Sequence, residues 1–263
     1  MTDITVRKIE FSFDDVPIDF DVPDEMLGSV LSTLSLSMTM PHLEPYLIRT
    51  MKVADGQITD EALAEDARLF SRQEGHHYRN HANLNARIRA SFDDSVAAEL
   101  RSLEQELEAD YQSYTKEKSL RFNLAYAEGF EAMTCSGALA MAEHGALTGM
   151  PGGEIWSWHM AEEIEHRTVA FEVYDHLVGS YAYRIFRGTL SQRHYLSYTR
   201  RFATCMAAAL GRPIGRPIDS KVSKTALRNY LRTWSPFYHP RKIVVPDGVE
   251  ALLSRYSEMA EAS

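Results

Sequence analysis

Residues with affinity for divalent cations gather in the stretch from Trp158 to Glu172. His159, Glu163 and His166 are separated by four and then three positions. At about 100° per residue, the two imidazoles and the carboxylate share one narrow face of a helix. No Gly or Pro interrupts the stretch, so it can be helical throughout. Ile164, Val169 and Phe171 lie elsewhere around the cylinder, which predicts burial on most sides. A buried face that carries ionisable groups needs compensation, because an unpaired charge in a core is costly. A divalent metal ion held between these side chains supplies it.

One Glu-x-x-His is a weak signal, since many solvated helices carry it by chance. A second copy, Glu74-Gly75-His76-His77, stands upstream in the run from Phe70 to His81. A carboxylate precedes each copy by about thirty residues: Glu44 before the first and Glu131 before the second. The order Glu, then Glu-x-x-His, twice over, is the ligand order of the di-iron and di-manganese carboxylate helix bundles. The expected ligands are therefore Glu44, Glu74, His77, Glu131, Glu163 and His166, with His159 as a seventh donor. Glu128 shares a helix face with Glu131. Glu131 gives the more symmetric spacing and is preferred, which leaves Glu128 beside the site or as an alternate bridge.

His81, one turn beyond His77, is a further candidate, whereas His76 faces away. Gln73 and Glu162 each precede a ligand Glu and are placed to hold the far nitrogen of the opposite helix's His. Tyr78 and Tyr126 could serve redox chemistry, although a packed tyrosine with a satisfied hydroxyl is the commoner case. Carboxylates and imidazoles without thiolates suit iron or manganese rather than structural zinc. Four carboxylates can neutralise two divalent ions. Two metal ions are expected, iron first and manganese as the alternative.

The elements that must position these groups can be read from periodicity. Residues 4–21 alternate apolar and polar, with Val6, Ile9, Phe11 and Phe13, then Val16, Ile18 and Phe20, around Asp14-Asp15. That pattern predicts a short β hairpin or an extended arm. A helix opens at Pro23-Asp24-Glu25 and softens near Met38, and Pro41 starts a new segment carrying Glu44 to about Val53. Thr59-Asp60-Glu61 is an N-cap region for a helix to about Ile88. Helices follow over 94–113 and 118–146. Gly149-Met150-Pro151-Gly152-Gly153 is a break, and one helix then runs from Glu154 to Val178. Residues 180–210 read as one long helix, followed by the break Gly211–Pro217. An irregular aromatic segment around Trp234–His239 precedes a last helix over 248–261. The expected architecture is an all-α, ferritin-like bundle: a β arm (1–22), a dimetal core (23–178) and C-terminal helices (179–263).

With 263 residues, 44% hydrophobic and 25% charged, the chain is ordinary for a globular protein. A formal charge of −9 argues against nucleic acid or an anionic membrane as a general partner. Arg187, Arg193, Arg200 and Arg201 make only a local basic patch. Cys135 and Cys205 are too few for a disulfide framework and read as buried thiols. Met1-Thr2-Asp3 opens no basic-then-apolar leader and no long apolar run follows, so the expected location is cytoplasmic.

Beyond these readings, the chain resembles a bacterial family labelled predicted metal-dependent hydrolase, whose members look ferritin-like. The resemblance is carried by Pro41-His42-Leu43-Glu44, by Gln73-Glu74-x-x-His77-x-x-x-His81-x-x-x-Asn85, and by Trp158-His159-x-x-Glu162-Glu163-x-Glu165-His166. Val169–Tyr174 continues the last motif, and Phe237-Tyr238-His239-Pro240 is similar to the family's tail. The hydrolase label does not by itself fix the chemistry. His159-x-x-x-Glu163-x-x-His166 also resembles the three-histidine sites of di-iron N-oxygenases acting on aryl amines. Glu165 departs from that pattern, where many such oxygenases have Arg.

The resemblances imply an O2-dependent oxygenase or oxidase of a small organic substrate, with an electron donor as partner. The alternative is a metal-dependent hydrolase that attacks an ester or amide. A third reading, iron storage or metal buffering, fits the extra histidine poorly.

Overall fold

The computed structural model describes residues 4–14, 16, 18–214 and 220–262. Ten α-helices are described: α1 (Asp24–Asp55), α2 (Glu61–Arg89), α3 (Asp94–Glu117), α4 (Leu120–Glu143), α5 (Glu154–Glu165), α6 (Val169–Leu177), α7 (Tyr181–Tyr183), α8 (Thr189–Ala209), α9 (Ser220–Arg232) and α10 (Val249–Glu261). Side-chain caps start three of them. Asp60 accepts from the Ala62 and Leu63 amides, Asp93 from Val96 and Ser119 from Phe122. α1 and α2 form an antiparallel hairpin, with Ser37 beside His81 and Asn85 at one end and Asp55 beside Arg68 at the other. α4 and α5 complete the bundle, and α3 and α8 pack over α1. No helix among the described residues is long and apolar enough to cross a membrane.

Three sequence expectations change. The N-terminal segment is not a β hairpin: no strand occurs among the described residues, and the arm runs singly over the helices. Its backbone finds partners on α2 and α5 instead of on a second strand. Asn80 accepts from the Phe11 amide and donates to the Ile9 carbonyl, and Gln73 donates to the Thr5 carbonyl. Alternation here marks a face buried against helices. Asp15 and the residues 1–3 lie outside the described residues.

The second change is in α1, which does not restart at Pro41 but runs through Pro41 and Pro45. A proline inside a helix frees the carbonyl four residues earlier. For Pro41 that carbonyl belongs to Ser37, and the Asn85 side-chain amide donates to it at 3.0 Å. A neighbouring helix replaces the lost bond.

Third, the helix expected over 154–178 is interrupted at His166-Arg167-Thr168. The Arg167 guanidinium donates to the Ile164 carbonyl at 2.7 Å, capping the end of α5 without Gly or Pro. The helix expected over 180–210 is present but contains a π turn at Arg184–Gly188. α9 was not foreseen, and Gly215–Pro217 of the expected break lie outside the described residues.

Candidate metal centre

The bundle brings Glu44 from α1, Glu74 and His77 from α2, Glu131 from α4, and His159, Glu163 and His166 from α5 and its C-cap into one buried cluster. His166 Nε2 lies 3.6 Å from Glu74, 3.4 Å from Glu131 and 3.6 Å from Glu163. His77 Nδ1 is 3.5 Å from Glu74, and His159 Nε2 is 2.9 Å from Glu163 and 3.6 Å from Glu44. Both carboxylate oxygens of Glu44, Glu74 and Glu131, one of Glu163, His77 Nδ1 and His166 Nε2 have no hydrogen-bond partner. Buried polar atoms are nearly always paired. So many unpaired donor atoms at one point fit divalent cations, which such oxygens and imidazoles ligate.

The surrounding hydrogen bonds fix which imidazole nitrogens are free. His77 donates from Nε2 to Glu162 at 2.9 Å, which leaves its Nδ1 lone pair facing Glu74. Gln73 commits its amide N–H groups to Thr5 and Glu165, so its carbonyl oxygen accepts from His166 Nδ1 at 2.9 Å. His166 Nε2 is thereby left with its lone pair toward the carboxylates. Gln73 and Glu162 thus occupy the places expected from sequence, each holding the histidine of the opposite helix.

A longer chain sets His159. Asn85 donates to the Ser37 carbonyl, so its side-chain oxygen accepts from the Ser37 hydroxyl at 2.7 Å. With that proton committed, Ser37 Oγ accepts from His81 Nδ1 at 2.9 Å. A neutral His81 then accepts at Nε2 from His159 Nδ1, 2.8 Å away. His159 Nε2 therefore turns a lone pair toward Glu163 and Glu44. Two electron-rich atoms face each other at 2.9 Å, an arrangement that a cation between them relieves.

Glu128, the alternative to Glu131, points elsewhere: it accepts from Arg184 at 2.8 Å. His76 bonds Arg79 away from the cluster. The Tyr126 hydroxyl sits between Tyr111 and His194, a satisfied polar knot within the core. Both cysteines are free and buried.

The chain belongs to the family described as predicted metal-dependent hydrolase. The family profile matches residues 5–243, a span that includes the arm, every helix of the cluster and the aromatic tail segment. No curated protein and no solved structure matches the chain.

The residue of this site most easily overlooked in the sequence is Arg7. Its side chain is 4% exposed, and it donates to Glu162 at 2.9 Å and to both oxygens of Glu165 at 2.9 Å. Glu162 holds His77, and Glu165 accepts from the Gln73 that holds His166. One guanidinium from the arm therefore supports both histidines. The unexpected acid at Glu165 is explained as well, because its cationic partner comes from the arm rather than from α5.

Electrostatics reflect the crowding. Burial, reinforced by Glu74, Glu163 and Glu131, holds the Glu44 carboxyl well above its ordinary range. Burial and Glu163 push Glu131 up to about 8. Burial works against a charged His77, yet Glu162 and Glu74 outweigh it and raise the imidazole to about 9. His166 is raised well above its usual value against the same burial, by Glu163 and Glu131. His81 and His159 go the other way, lowered by burial and by neighbouring imidazoles. Against its burial, Glu163 is held low by His166 and His159, so without metal the protons of the cluster sit on Glu44, Glu131, His77 and His166, and divalent cations compete with them.

Proposed function

We propose that this chain is a hydrolase whose buried cluster holds two divalent cations. Glu44, Glu74, His77, Glu131, His159, Glu163 and His166 would hold them. The supporting observation is the convergence of buried carboxylate and imidazole atoms that have no hydrogen-bond partner. Family membership favours hydrolysis over the O2 chemistry that the sequence suggested first. When bound, the cations would supply Lewis acidity and an activated water.

The protein residues do the rest. Glu162 and Gln73 fix which nitrogen of His77 and His166 keeps its proton, so that once each imidazole gives up the other proton the lone pair already faces the carboxylates. The Ser37–His81 pair does the same for His159. Burial of every cluster residue excludes bulk water and strengthens each charge interaction. A small ester or amide is the substrate class that such a centre opens by hydrolysis.

The third imidazole supports a second reading. His159 adds a neutral donor, as in the resembling N-oxygenases, and this suits iron and O2 oxidation of a small organic molecule with an external electron donor. Loading the protein separately with zinc and with iron(II) discriminates. Hydrolysis predicts that the redox-inert zinc protein cleaves members of an ester and amide panel. A zinc protein inert on the whole panel, beside an iron(II) protein that consumes O2, would replace hydrolysis with oxidation.

A further inference from the structure

Along α4, Glu131, Cys135, Leu139 and Glu143 follow one another at intervals of four, a ridge on which each step climbs about 6 Å. The ridge starts in the carboxylate cluster and runs out to the surface. A cavity of about 440 Å³ is built against its outer part, lined by Cys135, Leu139 and Glu143, with α9 and the segment after it opposite. That volume suits a small organic ligand. Its inner end, at Cys135, is one helical turn from Glu131.

The lining has a definite chemistry. Leu139, Tyr238 and Ile243 give it an apolar wall, and Phe237 and Val244 stand beside it 84% and 88% exposed. Large side chains held in water next to a cavity mark a surface that an apolar ligand would cover. The charges in the lining do not cancel. Glu143 is already engaged by Arg228 at 3.0 Å and by Asn229 at 3.5 Å. Arg232 and Lys242 have no carboxylate partner among the described residues, and Lys242 Nζ reaches only the Phe237 carbonyl at 3.5 Å.

We propose that this cavity is the substrate pocket and takes an amphipathic carboxylate, its apolar body along Leu139 and Ile243 and its anionic head against Arg232 and Lys242. The assignment rests on the hydrolase reading only in placing the bond to be cleaved toward Glu131. Recognition itself is independent of metal.

Octanoate and octan-1-ol, titrated calorimetrically into both metal-loaded and metal-free full-length protein, test it. Octanoate should bind at least tenfold more tightly than the alcohol. The double variant Arg232→Gln/Lys242→Gln should lose at least tenfold in octanoate affinity while its affinity for the alcohol stays unchanged. Leu139→Trp should weaken both ligands. All of these positions line the cavity, and a thermal melt of each variant confirms that it is folded. Equal affinity for acid and alcohol, undiminished octanoate binding by the charge variant, or no octanoate binding would each overturn the proposal. Octanoate binding by a protein that takes up no metal would sink the hydrolase reading and leave the pocket standing. Metal uptake without octanoate binding would do the reverse.

Discussion

Replacing Arg7 with Met separates the arm's electrostatic role from its packing, because the unbranched side chain keeps most of the apolar volume. In the wild type the guanidinium binds Glu162, Glu165, the Thr5 and Leu253 carbonyls and Ser257. Its loss leaves the buried Glu162 and the partly buried Glu165 short of a cation. Removing one partner of a buried ion pair costs about 3–5 kcal/mol. Here relief is at hand, since His77 can keep a proton and remain paired with Glu162. Urea denaturation of the metal-free variant should therefore show a loss toward the lower end of that range. The same relief obstructs metal binding, because a Glu162 without Arg7 holds the His77 proton more strongly, and a metal ion at Nδ1 must displace it. Partners outside the ligand set typically govern affinity by about 10–100-fold. This one supports two histidines, so competition with a chromophoric chelator should show a loss toward the upper end. Arg7→Lys, which returns charge without the two-pronged geometry, should fall between. If Arg7→Met matches the wild type in both assays, the arm is a passenger and this account of Glu162 and Glu165 is wrong.

Other predictions follow from the same contacts. Glu131→Gln should lower metal content, whereas Glu128→Gln should retain metal and lose stability through the unpaired Arg184; the opposite pattern in elemental analysis would reverse the assignment. Metal loading at neutral pH should release protons, because Glu131 titrates at about 8 and His77 at about 9 in the metal-free protein. Apparent affinity should therefore rise with pH through this range, and the calorimetric heat should depend on buffer ionisation enthalpy; a heat independent of buffer would contradict it. Gly129→Ala puts a Cβ 2.7 Å from Gly188 Cα, against backbone that cannot swing aside. It should cost about 1–3 kcal/mol by overpacking in a denaturation experiment.

The cluster was legible in the sequence because its carboxylates and imidazoles sit at helical spacings on long helices, and the duplicated Glu-x-x-His ties two distant stretches to one point. Gln73 and Glu162 could be placed for the same reason, each one position ahead of a ligand Glu. Arg7 could not: it lies in an alternating arm, and nothing local says that its side chain turns in toward residues far along the chain. Alternation also suggested a hairpin, since it reports a buried face but not whether a strand or a helix covers it. Pro41 read as a helix start because the sequence does not show that Asn85 stands across from the freed Ser37 carbonyl. The interruption at His166 needs Arg167 to cap Ile164, a bond that helix periodicity does not reveal. α9 lies in the sequence between two stretches rich in Gly and Pro or aromatic residues, which hide its short amphipathic pattern.

The central claim is that the buried carboxylates and imidazoles hold divalent cations. Equilibrium dialysis against manganese, iron(II) and zinc, followed by elemental analysis of wild type and of Glu74→Ala, tests it most directly. The account predicts close to two ions per wild-type chain and a sharp loss in the variant, with helicity by circular dichroism preserved. A folded wild-type protein that retains none of these ions, or a Glu74→Ala variant that retains as much as the wild type, would contradict it.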